Sequence, residues 1–167
     1  ADDWEAKYSG YPCLHFAMAR VRKPRGEIDR AIEHYHHYLK LVQDPRGYIG
    51  LAEAVYMKDR TSDEWISVLE KAMDCEDYFL SHSDAAQRAA STLMRDGRYE
   101  DALSWAERAA ESGSTSGLLS LVEALTGTGD FARAELVCRR VSERYQGDYW
   151  YRWCMETGKG DLKAAWK

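Results

Sequence analysis

A chain of 167 residues, 45% hydrophobic and 31% charged, has apolar matter for one ordinary core and enough charge to solvate its surface. Its net charge of -5 and isoelectric point near 5.6 argue against a nucleic-acid partner, since such modules carry a basic footprint. No run approaches the ~18 apolar residues that a membrane-spanning helix needs.

In chain order, residues 1–10 read as a loose lead-in, or as a segment in which Trp4 and Tyr8 cap the first hairpin. Apolar residues at helical spacing begin in 11–23, with Leu14, Met18 and Val21 on one face. The segment GEIDRAI then opens a second helix, with Tyr35 and Tyr38 on its packing face and His34 and His37 on its outer face. Further helices are expected over 46–58, after Ser62 and Asp63 in RTSDEWI, over 84–95, in GRYEDAL, over 116–126, in GDFARAE, over 148–157 and in GDLKAAW. The last lies at the end of the chain, which also lacks an initiator Met and reads as a piece of a longer protein.

The chain repeats itself. With Ala31, Trp65, Ala102, Ala134 and Ala165 in register, the units recur every ~31 to 37 residues, a period that belongs to arrays of helical hairpins. Gly26, Gly97, Gly129 and Gly160 stand where a first helix must end in a left-handed residue. The acid that follows each of them, or stands close behind, is placed to meet the free amides and dipole of the next helix. The units fall at about 11–44, 45–77, 83–114, 115–146 and 147–167, the last truncated, and together form one domain.

The third unit carries Ala89, Ala90, Leu93, Gly97, Tyr99, Ala102 and Ala109; the first carries Gly26, Ile28, Ala31, Tyr35 and Pro45; the fourth carries Gly129, Phe131, Ala134 and Val141. On these residues the chain resembles the tetratricopeptide repeat (TPR) proteins from about Tyr11 onward. The stretch from Asp101 to Ser114 is also similar to the Sel1-like repeat, with its Trp105 and its Ala-Ala-x-x-Gly ending. The resemblance implies an all-α, right-handed α-α superhelix of about four and a half hairpins. It also implies a concave groove lined by Phe16, Arg20 and Lys23; Gly50, Ala54 and Met57; Gln87, Ser91 and Met94; Leu119 and Glu123; and Trp150 and Cys154. The peptide-carboxylate clamp of one subgroup cannot be built, because the chain has no asparagine. Two departures stand out. The second unit places Glu53 and Trp65 where small residues meet, so its hairpin should open wider or slip. The last unit places Trp153 at its small position and should expose apolar surface at that end.

Candidate chemistry is sparse. His34 and His37 share a face but lack the third and fourth ligands of a zinc site, so no metal is expected. His82, Ser83 and Asp84 read as a helix cap and not as a catalytic set. GTGD at 127–130 lacks the Lys of a phosphate loop. Cys13, Cys75, Cys138 and Cys154 have no metal-ligand spacing and are expected to be free, mostly buried thiols, which favours a reducing, cytoplasmic setting. The run YWYRW from Tyr149 to Trp153 surrounds one helical turn with rings, as core packing or as a partner contact.

The expected function is a non-catalytic scaffold that binds protein or peptide, with no cofactor. The alternatives are self-assembly through the C-terminal hairpin, or a regulatory or targeting fragment of a larger enzyme; RNA binding ranks lower because of the acidic balance.

Overall fold

The structure, a computed structural model, describes residues 10–76 and 81–167. The capping role weighed for Trp4 and Tyr8 lies outside the described residues. Among the described residues ten α-helices and one 3-10 turn are present, and no strand. These are α1 (Pro12–Arg22) and the 3-10 turn (Lys23–Arg25), α2 (Ile28–Leu41), α3 (Pro45–Lys58), α4 (Glu64–Met73), α5 (Ser81–Arg95), α6 (Tyr99–Ala110), α7 (Thr115–Gly127), α8 (Phe131–Tyr145), α9 (Tyr149–Thr157) and α10 (Leu162–Ala165). The chain divides between Ala85 and Ala86 into two compact units.

In the first unit α1 packs on α2, α2 on α3 and α3 on α4. Its core is aromatic. Tyr35 is 1% exposed, and its ring lies against Gly50 so closely that a Cβ there would sit 2.5 Å from it. The Tyr38 hydroxyl donates to Asp44 at 2.7 Å, and Asp44 caps α3 by accepting from the Arg46 amide. At the second unit of the repeat, Glu53 pairs with Lys23 of the 3-10 turn, while the buried Trp65 meets Tyr56 edge-on at 5.5 Å. The misplaced acid is thus drawn to a cation and the large ring finds an aromatic partner.

In the second unit α6 packs on α7, α7 on α8, α8 on α9 and α9 on α10. Alanine dominates its start: Ala86, Ala89, Ala90, Ala102, Ala106 and Ala109 are all fully buried. Such residues cost little side-chain entropy and let helices approach closely.

Three turns share one set of bonds. At Gly97 (φ 78°), its amide donates to Met94 O at 3.0 Å and the Arg98 amide to Leu93 O at 2.9 Å. Gly129 and Asp130 repeat this on Thr126 and Leu125, and Gly26 and Glu27 repeat it on Lys23 and Arg22. This is the Schellman arrangement, which satisfies the last carbonyls of a helix and requires a left-handed residue. The last hairpin differs: α9 ends on Gly158, while Gly160 lies one step before Asp161, the N-cap of α10. Following acids cap their helices at Asp130 and Asp161, whereas Glu27 pairs with Arg22 at 2.6 Å.

Other expectations are corrected. α5 runs from Ser81, so His82, Ser83 and Asp84 lie within its first turn and not ahead of a helix that starts near Asp84. Only Cys138 and Cys154 are buried; Cys13 is exposed and Cys75 half-buried. His34 is no solvated bystander: its Nδ1 lies 3.2 Å from that of the buried His15, and Arg22 Nε donates to its Nε2 at 3.1 Å. His37 stacks on His15 at 5.0 Å.

Two glycines separate packing from backbone effects. Gly50→Ala is expected to cost about 1–3 kcal/mol through overpacking against Tyr35, and Gly129→Ala about 1–2 kcal/mol through its left-handed backbone. Urea unfolding checks both, and Gly129→Asn should recover part of the loss while Gly50→Asn should not.

Candidate functional site

A cleft of about 470 Å³ opens in the second unit between the faces of α7 and α9. α7 contributes Leu119, Val122, Glu123, Thr126 and Gly127, and α9 contributes Tyr149, Arg152, Trp153, Glu156 and Thr157. Each set follows the i, i+3, i+4, i+7, i+8 spacing of one helical face, so one stripe is written twice in the sequence. Tyr99, from the start of α6, and Cys138, from α8, complete the lining.

Contacts within the fold hold the walls in place. The Trp153 indole donates to Thr126 Oγ1 at 2.9 Å, tying α9 to α7, and Thr126 in turn donates to Val122 O at 2.7 Å. The Tyr99 ring lies over Gly127, where any Cβ would collide with it. Arg152 is held by Asp148 at 2.9 Å, with its guanidinium 5.3 Å from the Tyr149 ring centre. Glu123 and Glu156 are exposed at the mouth. Burial pushes the Cys138 thiol up to about 11, with Cys154 and Glu156 adding to the effect and Arg152 opposing it.

Of the residues expected to line a groove, the cleft gathers Leu119 and Glu123. Trp150 stands outside it, beneath Arg139 at 3.8 Å, with its indole N–H buried and unpartnered. Met94 and Cys154 are core residues, 4% and 3% exposed, and Gly50 and Ala54 are buried. Gln87 is half-buried and Ser91 exposed on α5. In the first unit Phe16 packs on Tyr35 and Tyr38, Arg20 lies over Phe16, Lys23 is paired with Glu53, and Met57 is exposed.

Trp153, expected to add to an exposed end, is 6% exposed and forms the cleft wall instead. Among the described residues near that end, Trp166 is the most exposed apolar side chain, at 73%, and lies 4.8 Å from Tyr151. Tyr149 and Arg152 belong to the aromatic run already singled out in the sequence, whereas Tyr99 and Glu156 were not among the expected groove residues. The repeated stripe was the available signal for all but Tyr99.

Among the described residues no group of three or more His, Cys, Asp or Glu is arranged to hold a metal, and no helix is long and apolar enough to cross a membrane.

The hairpins define an all-α helical repeat of the TPR-like α-α superhelix class, and the comparisons with known proteins bear on that fold. No family model and no curated protein sequence matches the chain. Solved structures do. MamA is 17% identical over 87% of this chain and 84% of its own, with a TM-score of 0.68. A MamA fragment from Desulfovibrio magneticus RS-1 is 16% identical over 92% and 88%, with a TM-score of 0.65. YrrB, described as a TPR protein with an unusual peptide-binding site, is 16% identical over 96% and 85%, with a TM-score of 0.63. At such identities the likeness shows the fold alone.

The raised Cys138 thiol contributes to a loss of stability at alkaline pH. Its folded value, about 11, lies above the ordinary 9.0, so its contribution is complete below the ordinary value and is lost as pH rises toward the folded one. A Cys138→Ala variant should lose stability less steeply than the parent across that window, as read by chemical denaturation at stepped pH.

Proposed function

We propose that the chain is a non-catalytic interaction module that holds a peptide segment of a partner protein in the α7/α9 cleft. The observation behind this reading is the cleft itself: two helical stripes with aromatic walls, pre-set by the Trp153–Thr126 and Tyr99–Gly127 contacts. Preorganised walls lower the ordering cost of binding, and Tyr and Trp are the residue types that anchor interfaces. Helical repeats use their recurrent faces as extended binding surfaces. YrrB, of similar fold, is described as having a peptide-binding site. The Sel1-like character of the third hairpin belongs to the same reading, supported by buried Trp105, with Arg108 4.6 Å over its ring, and by the left-handed Gly113.

Random short peptides displayed on phage and selected on the full chain test the proposal. Recovered peptides are expected to lose at least roughly tenfold in affinity for Leu119→Arg, which fills the cleft, as a lost central anchor would cost. Equal binding by the variant overturns the cleft as the site.

A second reading rests on Trp166, Leu162 and Met155, which are 73%, 42% and 58% exposed. Exposed apolar side chains near one end of a repeat array favour stacking on another copy. Light scattering should then show a mass that rises with concentration and falls to the monomer in Trp166→Asp. A constant monomer mass in the parent removes this reading.

A further inference from the structure

The charges at the mouth of the cleft bear on which peptide it takes. Glu123 stands on the α7 wall and Glu156 on the α9 wall, both exposed. Among the described residues neither forms an ion pair. Arg152, the basic side chain in the lining, is paired with Asp148 and laid over Tyr149. The cleft therefore presents two uncompensated carboxylates beside aromatic walls, and a concave, low-dielectric surface focuses such a field on whatever enters. Arg152 lies over the Tyr149 ring at 5.3 Å, an arrangement in which an aromatic face attracts a cation.

Resting on the peptide reading of this cleft, we infer that its occupant is a basic peptide segment. A Lys or Arg side chain lies with its aliphatic stem along Tyr99 and Trp153 and its charged end directed to the mouth, near Glu123 and Glu156. Such side chains carry an apolar stem and a charged head, matching a cleft that is apolar at its walls and acidic at its mouth. An acidic segment meets like charge at both walls and gains nothing from the rings.

The peptides recovered by phage selection on the full chain supply the probes. They are expected to be enriched in Lys and Arg. The double variant Glu123→Gln/Glu156→Gln, at two exposed positions, should weaken them by roughly threefold to tenfold at low salt, the range expected for two exposed ion pairs. It should also flatten the dependence of affinity on salt concentration, with helicity by circular dichroism unchanged. Glu123→Lys/Glu156→Lys should turn the selection toward acidic peptides. Peptides that lose binding to Leu119→Arg but show no basic excess, or that bind the Gln double variant as tightly as the parent, overturn the charge preference and leave the peptide site standing. Peptides indifferent to Leu119→Arg overturn the peptide site, and recovery of none overturns both.

Discussion

The chain reverses direction after its helices, and the constraint on everything else is how it does so without leaving buried carbonyls unsatisfied. At Gly26, Gly97 and Gly129 the reversal uses one left-handed residue and the same two backbone bonds. In the hairpins at Gly26 and Gly97, small residues stand at the same distances from the glycine on either side of the turn. Ala19 with Ala31, and Ala90 with Ala102, occupy these places, and all four are fully buried.

Where the small residue is replaced, the structure answers differently in each unit. In the first, Glu53 leaves the seam for Lys23 and Trp65 finds Tyr56. In the second, the places equivalent to Ala90 are held by Val122 in α7 and Trp153 in α9, and both line the cleft. The hydrogen bond from the Trp153 indole to Thr126 ties α9 to α7 across the cleft.

The site was half legible for a geometrical reason. Leu119 and Glu123, the α7 positions given by the family's spacing, both line the cleft. The same spacing in α9 selected Trp150 and Cys154, each one residue away from a cleft residue, and one residue turns a side chain by about 100° around a helix. The cleft uses the flank of α9 turned toward α7, hence Tyr149, Trp153 and Glu156. The surroundings of His34 were not legible for the complementary reason: its partners, His15 and Arg22, come from α1 and not from its own helix.

By itself the sequence determined the helices, their period and the turns that separate them, because apolar spacing, alanine content and a left-handed glycine act over a few residues. Tertiary structure alone decided which flank of α9 faces α7, that Met94 is core and Trp153 a wall, and that Glu123 and Glu156 share one mouth. Those outcomes depend on how far one helix rotates against its neighbour, which is set by the summed packing of side chains distant in sequence and not by any local preference.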